Sequence, residues 1–233
     1  MTPILAVLEQ KSEPTLSFVA GTLQSWFDRG MLTETDAARV RTVALARMTT
    51  IPTAIGLRDL VTLIVKLPGR LTPDQAQAAL TSLLNADQET AGSAAFTGFG
   101  RQIAEAILLL APQLNSEQRQ TAATAMRSDL AWAETDELAL SAANTVIALL
   151  PREPEARAQA IIDMLKYPAA AGGPATDALL AALREAATAR GTNSPADSTF
   201  AWIRQSFPHA NLDVPPACPS PRHAGLACPA TAR

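Results

Sequence analysis

The stretch Leu71-Thr72-Pro73-Asp74-Gln75-Ala76-Gln77-Ala78-Ala79-Leu80 decides the fold. A leucine, a threonine and a proline stand in front of an alanine-rich run, which is the pattern of a helix N-terminus. Similar patterns occur at Leu32-Thr33-Glu34-Thr35-Asp36 and Leu114-Asn115-Ser116-Glu117-Gln118, so that the three copies start 39 and 43 residues apart. A repeat of this length predicts a stack of helical units, each packed on its neighbours.

Each copy contains the elements of a capping box. The N-cap side chain can accept a hydrogen bond from the N3 amide, and the N3 side chain can reach back to the N-cap amide. The leucine before each cap stands where a hydrophobic staple would place it. The predicted pairs of N-cap and N3 residues are Thr33 with Asp36, Thr72 with Gln75, and Asn115 with Gln118.

A second, more apolar helix follows the first in each repeat. Its apolar residues recur at helical spacing, and it ends shortly before a proline, whose ring would clash with the preceding turn. These prolines are Pro68, Pro112 and Pro151. Because alanine is the best helix former and dominates the composition, the predicted fold class is all-α. The repeats predict an α-solenoid of about four antiparallel helix pairs.

The repeats divide the chain into six predicted segments. Residues 1–31 form an N-terminal helical cap or partial repeat, with a helix over residues 14–29 that stops at Gly30. Residues 191–233 hold one short capping helix and a proline-rich end that is expected to be disordered. The four repeats between them are predicted at residues 32–70, 71–113, 114–152 and 153–190.

Composition and charge narrow the function classes. A formal net charge of −3 argues against nucleic-acid binding, which requires clustered Lys and Arg to neutralise phosphates. No apolar run reaches the roughly 18–20 residues of a membrane span. The N-terminus has no basic region followed by a long apolar stretch, as a secretory signal would. A cytoplasmic protein without nucleic-acid or membrane partners is therefore expected.

Catalytic chemistry is not expected in the helical body. The only histidines, His209 and His223, lie at or inside the proline-rich end, so the repeats contain no base for a Ser-His-Asp or Cys-His site. Cys218 and Cys228 add atoms that could bind zinc or form a disulfide, but the close spacing of a preformed zinc site is missing. We predict no enzyme, no cofactor and no metal.

The length of the repeats resembles that of HEAT and armadillo-type repeats. The sequence of Leu71–Leu80 resembles in particular the alanine-rich HEAT-like arrays of some large bacterial proteins. The resemblance covers about residues 32–190. It implies a protein- or peptide-binding scaffold or adaptor that is not an enzyme. Since such arrays often accompany a signalling or caspase-like peptidase domain, it also allows an alternative role as a regulatory or accessory segment of such a system.

Equivalent positions on the second helices predict one candidate partner-binding face. In a solenoid, such positions stand side by side from unit to unit. Residues four apart project from the same side of a helix, which makes three i, i+4 pairs. The alternative is an ordinary solvated surface. The predicted face comprises Arg58 and Thr62, Arg101 and Glu105, and Leu140 and Asn144.

Three other features are assigned to packing. Trp132 and Trp26-Phe27 are expected in the core rather than at an interface, although aromatic residues suit both places. The glycines of Gly98-Phe99-Gly100 are expected to allow two helices to approach closely, because no strand precedes them as it would in a phosphate-binding loop.

Overall fold

The fold is built from α-helices. The computed structural model describes residues 14–51, 53–90, 96–165 and 173–189, and these residues are mostly helical and contain no strand. The predicted all-α class is thereby confirmed. The predictions for residues 191–233, including the cysteines and histidines, lie outside the described residues. The helices of the described ranges are α1 (Pro14–Asp28), α2 (Glu34–Met48), α3 (Ala54–Lys66), α4 (Pro73–Thr90), α5 (Phe96–Leu110), α6 (Ser116–Trp132), α7 (Asp136–Leu149), α8 (Pro154–Leu165) and α9 (Gly173–Ala189).

The three predicted capping boxes are present at the starts of α2, α4 and α6. In α6, the amide of Gln118 donates to Asn115 Oδ1 at 2.9 Å, and the amide of Asn115 donates to Gln118 Oε1 at 3.0 Å. The same reciprocal bonds join Thr33 to Asp36 and Thr72 to Gln75. The leucines that precede the caps are buried, as a hydrophobic staple requires. They are Leu32, Leu71 and Leu114.

Gly30 ends α1 in the way that the sequence predicts. Its φ of 68° lies in the left-handed region, which a residue without a Cβ adopts at little cost. The amide of Gly30 donates to Phe27 O at 2.8 Å, and the amide of Met31 donates to Trp26 O at 2.9 Å. These two bonds form a Schellman motif, which satisfies carbonyls of the last turn and turns the chain towards α2.

The helices contact one another in two series. One series is α1, α3, α5, α7 and α9, in which each helix contacts the next, and the other is α2, α4 and α6. Each of α3, α5, α7 and α9 also contacts the helix that precedes it in the chain. The helices of the first series therefore have neighbours on several sides, which explains why they are the more apolar ones.

Side-chain hydrogen bonds join helices that are neighbours within a series. Gln118 Nε2 on α6 donates to Pro73 O at the start of α4 at 2.8 Å, so this capping-box residue also links two helices. Thr145 Oγ1 on α7 is fully buried and donates to Ala104 O on α5 at 2.9 Å. Each bond satisfies polar atoms that burial would otherwise leave unpaired.

Gly56 and Gly98 are expected to respond oppositely to alanine. A Cβ at Gly56 would lie 2.8 Å from Ile51 Cγ2, closer than van der Waals contact allows. Gly98 is exposed and has no atom within 4 Å of such a Cβ, so the expected close helix approach is wrong at this position. Gly56→Ala should destabilise the protein by about 1–2 kcal/mol through overpacking. Gly98→Ala should stabilise it by about 0.5–1 kcal/mol through helix propensity.

Denaturant unfolding of both variants checks this prediction, and each serves as the other's control. A shift of the same sign in both would contradict it.

Candidate functional site

The six residues of the predicted face lie on three helices that contact one another in succession. Arg58 and Thr62 are on α3, Arg101 and Glu105 are on α5, and the last two, Leu140 and Asn144, are on α7. Contacts of α3 with α5 and of α5 with α7 place the three pairs on neighbouring helices.

Ion pairs join the residues on α3 and α5. Arg58 Nη1 lies 3.2 Å from Glu105 Oε2 and is hydrogen-bonded to it, although 47 residues separate the two in the chain. Glu105 Oε1 is also 3.7 Å from Arg101 Nε, and Arg58 Nη2 is 3.5 Å from Asp59 Oδ1. Two cations and two anions thus form one network on the surface of adjacent helices.

The exposure of this network determines what it can do. Arg58, Arg101 and Glu105 each keep a third or more of their side-chain surface accessible, so their remaining donor and acceptor positions face solvent. Since exposed ion pairs contribute at most about 1 kcal/mol to stability, the network is not a major part of the folding energy. It provides a fixed, charge-balanced set of hydrogen-bonding groups.

Thr62 and the α7 residues have other surroundings. Thr62 is half-buried, and its Oγ1 donates to Arg58 O one turn earlier at 2.8 Å. On α7, Asn144 is exposed and Leu140 is half-buried. The structure therefore joins Arg58 and Arg101 through Glu105, and it places Leu140 and Asn144 on a helix that packs on α5.

Exposed apolar side chains flank the charged network on the same helices. Ile55 lies at the start of α3, and Leu108 and Leu109 lie near the end of α5. This part of the surface therefore combines polar side chains with adjacent exposed apolar ones.

Two buried carboxyl groups escaped the sequence analysis. Asp87 on α4 and Asp129 on α6 are each only 7% exposed, and each carboxyl group acts on the pKa of the other. Burial raises the pKa of Asp87 to about 6 and the pKa of Asp129 to about 7, and the charge of Asp87 contributes to the rise at Asp129. Because the two groups interact strongly, these values describe the titration of the pair.

The repeat register contains a signal for this carboxyl pair. Asp87 occupies the position that Met48 holds in α2 and Leu130 holds in α6, at the offsets of 39 and 43 residues. Met48 and Leu130 are buried. A carboxyl group at a position that is otherwise apolar departs from the pattern, and such departures mark places where stability is not the only requirement.

The expectation that Trp132 belongs to the core is wrong. Its side chain is 78% exposed. Trp132 is the last residue of α6, and the chain turns away immediately after it, so no following turn of the helix covers the ring. Trp26 and Phe27 are half-buried at the end of α1.

Comparison with known proteins gives no relative. The sequence matches no protein-family profile, no curated protein and no solved structure. Within the described residues, no group of three or more His, Cys, Asp or Glu side chains is placed to hold a metal ion. None of the described helices combines the length and the apolar character that a membrane crossing requires.

Proposed function

We propose that this chain is a non-enzymatic α-solenoid of HEAT-like, antiparallel helix pairs that binds a protein or peptide and acts as a scaffold or adaptor. The order of helix contacts supports the solenoid, because α1, α3, α5, α7 and α9 follow one another as the inner helices of stacked units would. The binding role rests on the surface of these helices and not on the fold itself, since one fold serves many functions.

The single observation that carries the binding proposal is the contact between Arg58 and Glu105. Glu105 lies one turn after Arg101, the residue that the predicted register places beside Arg58, and it meets Arg58 at 3.2 Å on a partly exposed surface. The contact lies within the predicted face, and it orders the two side chains before a partner arrives. Ordered side chains lose less conformational entropy on binding, which favours affinity. Arginine adds a planar, bidentate donor that suits carboxylates and main-chain carbonyls of a partner.

Charge reversal of the two arginines should abolish partner binding. Arg58→Glu combined with Arg101→Glu places four acidic groups where the wild type has two anions and two cations. We expect at least a tenfold loss of the partner, in line with arginine anchors of protein interfaces. The measurement is affinity capture from a lysate of the source cells, with quantitative mass spectrometry of the proteins bound to wild type and variant.

Two further variants make the result interpretable. Arg39→Glu with Arg152→Glu changes the same total charge at exposed positions elsewhere and should retain the partner. Arg58→Ala with Arg101→Ala removes the cations without creating an acidic cluster, and it should also lose the partner. If the folded double-reversal variant retains every protein that the wild type captures, the proposed face is refuted.

The identity of a captured protein also tests the alternative role. Capture of a peptidase or of a signalling enzyme would favour a regulatory or accessory segment over a general adaptor.

A further inference from the structure

We propose that Asp87 and Asp129 form a proton-sharing contact between α4 and α6, and that ionisation of both carboxyl groups weakens this contact. The two residues lie on helices that pack on each other, and both side chains are buried. A hydrogen bond between two carboxyl groups requires that one of them keep its proton and donate it to the other. This inference is independent of the proposed binding role.

Electrostatics favours a single shared proton at intermediate pH. Two carboxylates within hydrogen-bonding distance repel each other strongly when water is excluded, and no hydrogen bond between them remains once both are ionised. Burial raises the pKa of both carboxyl groups, so the pair retains a proton above the pH at which an exposed aspartate loses it.

Most arginines on the helices packed against this pair have their own partners. Arg58 and Arg101 are bound by acidic groups on α3 and α5, and Arg47 at the end of α2 donates to Thr50 Oγ1 at 3.0 Å. Arg127 precedes Asp129 by two residues and therefore points to a different side of α6.

The other charged groups of these elements are either exposed or bound to main chain. Asp136 and Glu137 at the start of α7 are exposed. Arg41 on α2 and Arg119 on α6 donate to main-chain carbonyls. In the described residues, the charge that acts on Asp129 is that of Asp87, and no cation lowers the pKa of either carboxyl group.

The sign of the pH dependence follows from the raised pKa values. In the unfolded chain both carboxyl groups titrate near pH 4, whereas in the folded protein they titrate near pH 6 and 7. The folded state therefore binds more protons between these values, and stability falls as the pH rises from about 4 to about 7. Acidification should tighten the contact of α4 with α6, and neutral or basic pH should loosen it.

Thermal unfolding of the full chain at pH 5 and pH 8 tests the proposal. The melting temperature of the wild type should fall by about 10 °C over this range. Asp87→Leu combined with Asp129→Ala restores the residue types that the repeat carries at these positions in Leu130 and Ala86. This variant should lose most of the fall and melt at a higher temperature than the wild type at pH 8.

The controls separate this effect from other titrations. Histidine side chains ordinarily titrate in this range, so the comparison is made between variants that keep both histidines of the sequence. Asp74→Asn removes an exposed carboxylate from α4 and should leave the fall unchanged. Hydrogen exchange should show that α4 and α6 lose protection at pH 8 in the wild type but not in the variant with Asp87→Leu and Asp129→Ala.

If the variant with Asp87→Leu and Asp129→Ala does not fold, a measurement on the wild type tests the proposal. Carbon NMR of the aspartate carboxyl groups in the folded wild type should show two that titrate above pH 5. The proposal would be overturned if the variant with Asp87→Leu and Asp129→Ala showed the same fall in melting temperature between pH 5 and pH 8 as the wild type. A wild type in which every aspartate titrates below pH 5 would also overturn it.

Discussion

Replacement of Arg41 by alanine is expected to lower the free energy of unfolding by about 2–4 kcal/mol. The side chain is buried on α2, and its Nη2 donates to Pro68 O at 2.6 Å and to Leu67 O and Gly69 O at 3.4 and 3.3 Å. These carbonyls follow the last turn of α3, where a helix lacks internal donors and carries partial negative charge. Truncation removes a side-chain donor from these three oxygens and leaves a void in the packing of α2 against α3.

Arg39→Ala and Arg41→Met test why Arg41→Ala lowers the free energy of unfolding. Arg39 is exposed two residues earlier on α2, and Arg39→Ala should change the free energy of unfolding by less than about 0.5 kcal/mol. Arg41→Met keeps much of the apolar volume and removes the donors, so its loss measures the hydrogen-bonding part. Denaturant unfolding gives all three values. Similar small losses for Arg41→Ala and Arg39→Ala would contradict the structural role of Arg41.

Leu110→Ala is expected to cost about 3 kcal/mol, whereas Leu109→Ala should cost less than about 1 kcal/mol. The two leucines are adjacent at the end of α5, but Leu110 is fully buried and Leu109 is 39% exposed. Deleting the Leu110 side chain removes apolar contacts and leaves a cavity, because the packed helices around it can close only in part.

The adjacent leucines form a matched pair, since the substitution removes the same atoms from the same turn of helix. Helix propensity and the unfolded chain change almost equally in both variants, so the difference between them reports burial. Equal losses in denaturant unfolding would mean that the end of α5 is not packed as described. A selective loss of partner binding in Leu109→Ala would in addition support the apolar flank of the candidate face.

Helix boundaries were the most predictable part of this protein. Thr33, Thr72 and Asn115 cap their helices with partners three residues away, and Gly30 ends α1 through bonds within five residues. Such interactions depend on local geometry, so a residue pattern suffices to locate them. Trp132 is exposed, although the sequence predicts a position in the core. Burial depends on which other parts of the structure cover a residue, and its neighbours in the sequence do not reveal this.

The candidate face was predicted in part. The repeat offsets placed Arg58, Arg101 and Glu105 on neighbouring helices, and the structure joins all three in one ion-pair network. The i, i+4 rule predicts the ion pair between Arg101 and Glu105 on α5. It does not predict the bond from Arg58 to Glu105, which joins α3 to α5. Its distance depends on how far α3 is displaced along α5, and this displacement is set by the packing of both helices.

By itself, the sequence determined the all-α class and the helix starts, because capping and apolar periodicity act over a few residues. The tertiary structure alone decided which polar groups meet inside the protein. Arg41 finds three carbonyls 26 to 28 residues away, and Asp87 finds Asp129 on the next helix of its series. Both encounters bury charge, and whether burial costs or stabilises depends on partners that only packing brings together.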